Sequence, residues 1–107
     1  MKKPKISAAL ATYNEENNIV DCITSLKSFA QEIVVVDGKS TDRTAELARE
    51  NGAHVISAVN QPMFHINKNL AIDNCHGNWI FLIDADERIS ANLAAAIKEV
   101  TNQNPPE

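Results

Sequence analysis

Apolar residues recur along this chain in two alternating rhythms. Short, nearly continuous apolar runs fall at 5–12, 32–36, 53–58 and 78–83, with Ile33-Val34-Val35-Val36 the most apolar of them. Runs of this length and kind predict strands. Between them apolar residues return every three or four positions: Ile19, Ile23, Leu26 and Ala30; Ala45, Leu47 and Ala48; Ile66, Leu70, Ala71 and Ile72; Leu93, Ala96, Ile97 and Val100. That spacing predicts one buried face on each of four helices. Polar punctuation marks the boundaries. Asn14 offers an N-cap to the first helix, and Glu15 and Glu16 suit its positive end. Ser40 or Thr41 can cap the second, which stops at Asn51-Gly52. The third spans 64–75 and is stopped by Gly77, and Ser90 caps the fourth. Asp37-Gly38-Lys39 reads as a turn, Asn60-Gln61-Pro62 as a loop, and 102–107 as a polar, proline-containing tail to a single domain over 1–101.

Strand and helix alternating four times predict an α/β fold: a Rossmann-like, open, mostly parallel sheet with helices on both faces. Right-handed crossovers leave few topologies. The expected strand order is 3-2-1-4, in which the chain winds outward and then returns to set the fourth strand beside the first. Ligands of open α/β sheets bind where the winding reverses, beyond the carboxyl ends of the strands. Three polar segments end strands there: Thr12-Tyr13-Asn14-Glu15, Asp37-Gly38, and Asp84-Ala85-Asp86.

The last segment carries the strongest chemical signal. Trp79-Ile80-Phe81-Leu82-Ile83 is apolar enough for a strand buried on both faces, and it stops abruptly at Asp84, Asp86 and Glu87. On an extended backbone, residues two apart project to one side about 6.5–7 Å from each other. Asp84 and Asp86 would then aim two mutually repelling carboxylates into one space. A divalent cation relieves that conflict, and so does a cationic partner. An all-oxygen set suits Mg²⁺ or Mn²⁺, which bind through one or two carboxylates plus substrate phosphates. The plainer alternative is an acidic turn in which Asp86 or Glu87 pairs with Arg88.

Each other candidate also has two readings. Asp37 can organise its own turn or accept hydrogen bonds from a base or sugar. Glu15 can compensate a helix dipole or hold a ribose hydroxyl, and Tyr13 can stack on a base. Lys68 reads by itself as solvent-facing. Gly38-Lys39-Ser40 lacks the upstream glycine of a P-loop, and no G-x-G-x-x-G occurs. His54, His65 and His76 fall on three elements and form no ligand set.

Composition narrows the class. The chain has 107 residues, enough for one core, and a formal net charge of −4 with acids and bases interspersed. Its one basic cluster, Lys2, Lys3 and Lys5, is no footprint for nucleic acid. Cys22 and Cys75 read as two small buried thiols of a reducing cytosol. No apolar run approaches the ~18 residues of a membrane span. Asn14, Glu15 and Glu16 interrupt any signal-peptide core. The expected location is cytoplasmic, with any membrane contact made at its inner face through something outside this sequence.

Three motifs, in order, resemble those of family 2 glycosyltransferases: Ile6-Ser7-Ala8-Ala9-Leu10-Ala11-Thr12-Tyr13-Asn14-Glu15-Glu16-Asn17, Val34-Val35-Val36-Asp37-Gly38-Lys39-Ser40-Thr41-Asp42-Arg43-Thr44, and Leu82-Ile83-Asp84-Ala85-Asp86-Glu87. Asn67-Lys68-Asn69-Leu70-Ala71 before Gly77-Asn78-Trp79 resembles the bacterial lipopolysaccharide-core and cell-envelope members. The resemblance implies the glycosyltransferase-A fold and inverting, metal-dependent transfer from a nucleotide-diphosphate sugar, UDP-sugar foremost, to a glycan or lipid-linked acceptor. It places Thr12, Tyr13, Glu15 and Asp37 around the nucleoside, Lys68 near the base or phosphates, Asp84 toward ribose and diphosphate, and Asp86 on the metal. Gly38-Lys39 stands where many members have Ser-Gly or Asp-Gly. The family's general base comes from a second half of the catalytic domain, and no carboxylate here matches it. The expectation is therefore a donor-binding half-domain, a fragment or a short reading frame, with a fourth strand whose uncovered edge could pair with a second copy. A rival reading is a non-catalytic nucleotide-binding or dimerising module. A nucleotidyltransferase is disfavoured, because Tyr13-Asn14-Glu15-Glu16-Asn17 supplies no glycine- and Arg/Lys-rich loop.

Overall fold

The computed structural model describes residues 5–59 and 65–103. The expected loop at 60–62, Phe64 and the tail residues 104–107 lie outside them. Four strands and four helices alternate: β1 (Ile6–Thr12), α1 (Ile19–Leu26), β2 (Glu32–Asp37), α2 (Thr44–Glu50), β3 (His54–Ser57), α3 (His65–Asp73), β4 (Trp79–Leu82) and α4 (Ala91–Gln103). All pairings are parallel and the sheet order is β3-β2-β1-β4, as the alternation predicts.

The strand period of two sorts side chains between the faces. Ile6, Ala8, Leu10, Ile33 and Val35 meet Ile19, Cys22, Ile23 and Leu26 of α1, Ala48 of α2 and Ala94 of α4. Ala9, Val34 and Val36 meet Ala71 of α3, with Leu70 and Ile72 packed against them. Small residues at Ala8 and Ala9 on the central strand let helices approach it from both sides. β1 is the shared middle strand, so its carboxyl end, Thr12, sits between the ends of β2 and β4.

β4 departs from its expected burial. Trp79 and Phe81 pack into the α1-side core, where Phe81 meets Phe29 edge-on at 5.4 Å. Ile80 and Leu82, however, are 43% and 46% exposed. The reason is position: β4 ends the sheet and pairs only with β1 among the described residues. α4 covers one of its faces, and its Leu93 and Val100 are themselves exposed.

Several boundaries also shift. Asn14 does not cap α1: it has a left-handed φ of 53°, and the helix begins at Ile19 behind Asn18. Ala30 lies beyond α1 yet remains in the core. Neither Ser40 nor Thr41 caps α2; the Thr44 amide donates to Asp42 Oδ1 at 2.9 Å instead. Cys75 falls after α3 rather than within it, and both cysteines are free. α4 runs to Gln103, so the helix claims Asn102 and Gln103 from the expected tail. Ser90 Oγ accepts from the Leu93 amide at 3.1 Å, as expected of its cap. Gly52 ends α2 with φ 95°, the left-handed stop that Asn51-Gly52 predicts.

Candidate functional site

In a parallel sheet all strands end at the same edge, so the loops after β1, β2 and β4 are neighbours. Thr12 and Asp37 sit opposite each other in register. Thr12 Oγ1 donates to Asp37 Oδ1 at 2.8 Å. Asp37 is buried and also receives Ser40 N–H on Oδ2 at 2.9 Å and Ser40 Oγ–H on Oδ1 at 2.7 Å. A carboxylate has about four lone-pair sites, and the protein fills three of them. Asp37 therefore does organise its own turn, the plainer of its two readings, and keeps one acceptor site over.

The turn that follows is not shaped by Gly38. Its left-handed residue is Lys39, at φ 58°. Position 39 is the one at which many members of the resembled family are expected to carry glycine, so the departure noted in the sequence falls where a left-handed φ most favours one.

Asn14 bridges the first two loops. Its Oδ1 accepts from the Thr41 amide at 2.8 Å, while its own amide donates to Ser40 Oγ at 2.8 Å. The Glu15 amide donates to Thr44 Oγ1 at 2.8 Å. Asn tolerates the left-handed region better than most residues, which permits this bridge. Tyr13 stands beside it, 45% exposed.

The acidic segment after β4 is a turn, not a strand end. β4 stops at Leu82, and the Glu87 amide donates to Asp84 O at 2.9 Å while Glu87 Oε1 accepts from the Asp84 amide at 2.9 Å. The extended geometry expected for Asp84 and Asp86 is thus replaced by a closed loop over 84–87. Asp84 and Asp86 are exposed and Ala85 between them is buried. Lys68 reaches Asp84, with Nζ 2.8 Å from Oδ1, across from α3. Its side chain is only 19% exposed, so Lys68 is not the solvent-facing lysine that its own sequence context suggests. Here the cationic partner that the two carboxylates call for is supplied by the protein itself. Arg88 does not pair with Asp86 or Glu87 as the acidic-turn reading has it; it donates to the carbonyls of Ala85 and Glu87 and to Asn18 Oδ1.

The remaining chemistry is quiet. Burial pushes both thiols up to about 11, so Cys22 and Cys75 stay protonated and unreactive. His54 and His65 are exposed, and His76 pairs with Glu32 through Nδ1 at 2.7 Å, away from the acidic turn. No three His, Cys, Asp or Glu side chains among the described residues gather into a metal-ligand cluster. An exposed pair of carboxylates without nitrogen or sulfur ligands does fit a hard divalent ion of which the ligand supplies the other oxygens.

Sequence reasoning thus brings Thr12 and Asp37 to the same sheet edge, but it does not foresee the Lys68–Asp84 pair. It misses Asn14, Ser40, Thr44, Asn18 and Arg88 as the residues that join the loops. One available signal was that helical spacing begins only at Ile19, which leaves 14–18 free for loop contacts.

Comparison with known proteins agrees with this architecture. Residues 7–106 match the family model described as glycosyl transferase family 2. An uncharacterized glycosyltransferase of Rickettsia typhi is 38% identical over 97 residues, covering 90% of this chain and 32% of the relative. The lipopolysaccharide core biosynthesis glycosyltransferase LpsC of Rhizobium meliloti is 36% identical over 102 residues, covering 92% and 37%. Among solved structures, S. aureus TarS superposes with a TM-score of 0.78 at 26% identity over 92% of this chain and 32% of its own. TarS has also been solved with UDP and with UDP-GlcNAc. The mannosyltransferase PcManGT of Pyrobaculum calidifontis, solved with GDP-Man and Mn²⁺, shares the fold with a TM-score of 0.75 at 24% identity over 94% and 33%. The chain spans about a third of the length of these relatives. A parallel sheet of this order, polar loops at one edge, and a family match over nearly the whole sequence converge: the chain belongs to glycosyltransferase family 2.

Proposed function

We propose that this chain forms the donor-binding part of an inverting glycosyltransferase that uses a nucleotide-diphosphate sugar. The observation that carries the reading is that the ends of β1 and β2 hold the Thr12–Asp37 pair while α3 brings Lys68 to Asp84 on the turn after β4, all at the carboxyl edge of the sheet. The nucleotide complexes of TarS and PcManGT support it by fold. On this reading Thr12 and Asp37 floor the nucleoside pocket, Tyr13 stacks on the base, and Glu15 holds a ribose hydroxyl. Asp84 faces ribose and diphosphate, Lys68 contributes positive charge beside the phosphates, and Asp86 with Asp84 holds Mg²⁺ or Mn²⁺. UDP is the preferred nucleotide.

In the reaction the bond from the anomeric carbon to the diphosphate oxygen breaks, and the acceptor oxygen bonds to that carbon from the opposite face. The acceptor proton passes to a general base. The electron pair leaves on the nucleoside diphosphate, where the bound ion supplies Lewis-acid stabilisation. Lys68 adds a fixed cation at the same place, and the hydrogen-bonded Thr12–Asp37–Ser40 group keeps the nucleoside side rigid while Asp37 retains one acceptor site. None of the acids assigned here serves as the base, and the acceptor is a glycan or lipid-linked sugar of the cell envelope. No described helix is long and apolar enough to cross a membrane; we place the protein in the cytoplasm, at the inner membrane face when it meets its acceptor.

A second reading, a nucleotide-binding or dimerising module without turnover, is favoured by the exposed apolar side chains on β4. Dimerisation would use the free edge of β4, where Ile80 and Leu82 are exposed. Light scattering that shows only monomer over a wide concentration range removes that part. Calorimetric titration with a panel of nucleoside diphosphates, with and without Mn²⁺, tests the main reading: UDP should bind more tightly with the ion, and Asp86→Ala should abolish the gain. A gain unchanged in Asp86→Ala defeats the ligand assignment. Sugar transfer or nucleotide-sugar hydrolysis by this chain alone eliminates the module reading.

A further inference from the structure

The turn over 84–87 holds its own ends together, but its middle is gripped from outside. Arg88 Nη1 lies 2.8 Å from the carbonyl oxygen of Ala85 and 2.8 Å from that of Glu87. These are the carbonyls of the residues on either side of Asp86, so one guanidinium brackets the residue assigned to the metal. Its other nitrogen, Nη2, donates to Asn18 Oδ1 at 3.2 Å. Asn18 Nδ2 in turn donates to Glu15 Oε1 at 3.0 Å, and the Asn18 amide donates to the Glu15 carbonyl at 2.9 Å. A continuous set of hydrogen bonds thus runs from the Glu15 carboxylate to the backbone on both sides of Asp86. A planar fork with five donors can make these three contacts at once; a lysine ammonium lacks the geometry.

Resting on the metal-ligand reading of Asp86, we propose that Arg88 is the positioning residue for that carboxylate and that Asn18 couples it to Glu15. The consequence is linkage between the two halves of the donor site. A nucleoside that orders Glu15 also orders the turn that presents Asp86, and the ion in turn tightens nucleoside binding by the same factor. The arrangement accounts for Arg88 donating to carbonyls and not to the carboxylates beside it in sequence.

The test uses Arg88→Gln, Arg88→Lys and Asn18→Ala in the full chain, with two readouts. The first needs no ligand: hydrogen exchange of the Asp84 and Glu87 amides, against the Val35 amide of the core as an internal standard. Arg88→Gln should speed exchange in the turn and leave Val35 unchanged. The second is the ratio of UDP affinity with Mn²⁺ to that without it. Arg88→Gln should cut this ratio by about tenfold, the usual scale for removing a group that orients a metal ligand. Arg88→Lys should fall between Arg88→Gln and the parent chain. Asn18→Ala, which keeps both carbonyl contacts, should reduce the ratio by less than Arg88→Gln and leave turn exchange nearly unchanged. Turn amides as protected in Arg88→Gln as in the parent chain overturn the proposal, as does an unaltered Mn²⁺ ratio. If the parent chain itself shows no Mn²⁺ gain, the metal reading of Asp86 fails, and the exchange data still decide whether Arg88 holds the turn.

Discussion

Gly77→Ala should be among the most damaging single-methyl additions to this protein. Gly77 leads into β4, and its amide donates to Ser7 Oγ at 2.8 Å. A β-carbon built at this position falls 2.5 Å from Ser7 Oγ, 2.8 Å from Ser7 N and 3.1 Å from Trp79 O. Two of those three atoms are backbone, and Ser7 lies on the central strand, which cannot move without shifting its partners in β2 and β4. Ser7 Oγ is itself committed to Glu32 Oε1 at 2.6 Å. Gly77 does not have a left-handed φ, so the penalty is contact rather than backbone conformation. Overpacking of this kind costs about 1–3 kcal/mol, and losing the Gly77–Ser7 hydrogen bond adds about 1 kcal/mol. At about 4–8 °C per kcal/mol for a domain of this size, the melting temperature should fall by at least ~8 °C. Gly52→Ala makes a useful contrast. Its added carbon meets only the Lys27 side chain, at 3.8 Å, but its φ is 95°, so its penalty is conformational, about 1–2 kcal/mol. Thermal unfolding followed by circular dichroism reads both. A Gly77→Ala protein that melts within about 2 °C of the parent would refute the claimed close approach of β4 to β1.

Three further predictions concern the loops and the lower edge of the sheet. Lys39 is exposed with φ 58°; Lys39→Gly should stabilise by about 0.5 kcal/mol, the left-handed strain relieved less the added unfolded-state entropy, while Lys39→Val should destabilise, and urea midpoints in the opposite order would contradict this. Burial pushes the Glu32 carboxyl up, but hydrogen bonds from the His76 amide, the Ser7 hydroxyl and the His76 ring outweigh it, so the group titrates below its ordinary 4.5. Its stabilisation is therefore complete above about pH 4.5 and fades as pH falls through the lower folded-state value; Glu32→Gln should flatten the acid limb of a stability profile, and equal acid sensitivity in that variant would count against the network. Lys68→Met removes the cation that occupies Asp84; because Asp84 is half exposed the stability loss should stay under about 1 kcal/mol, whereas Mn²⁺ affinity of the nucleotide-free protein should rise severalfold, and weaker or unchanged Mn²⁺ binding by paramagnetic resonance would show that Lys68 and the ion do not compete.

The sheet order was readable because it follows from two local periodicities and a handedness rule. Ile33-Val34-Val35-Val36 and the helical spacing from Ile19 each declare an element without help from the rest of the chain. The same holds for the position of the polar loops, since a parallel sheet puts every carboxyl end at one edge. What was not readable depends on pairings between loops. Asn14 looks like a helix cap because Asn is a favoured capping residue and acids follow it; only the approach of Ser40 and Thr41, 26 and 27 positions away, turns it into a bridge. Asp84-Ala85-Asp86 reads as the end of a strand because the apolar run before it gives no sign of where hydrogen bonding to β1 stops. Glu87 closes the turn by bonding back to Asp84, a competition between local and sheet hydrogen bonds that the acid spacing alone does not reveal.

That difference bears on how the site works. Of the residues that sequence patterns single out, Thr12 and Asp37 are the last residues of β1 and β2 and are held in register by the sheet, whereas Asp84 and Asp86 stand on the turn after β4, beyond regular structure. Asp37 is immobilised by Thr12 and Ser40, and Asp84 is tethered by Lys68. Only Asp86 has its backbone held on both sides by a residue reaching back to another loop. A carboxylate that must be free to take an ion cannot be pinned through its own oxygens, as Asp37 is, without losing the acceptor sites the ion needs. Holding it through the adjacent carbonyls keeps both oxygens available and still limits where they can go. On the proposed metal role of Asp86, the contrast between the two aspartates follows from that requirement: the buried one is fixed by its side chain, the exposed one by its backbone.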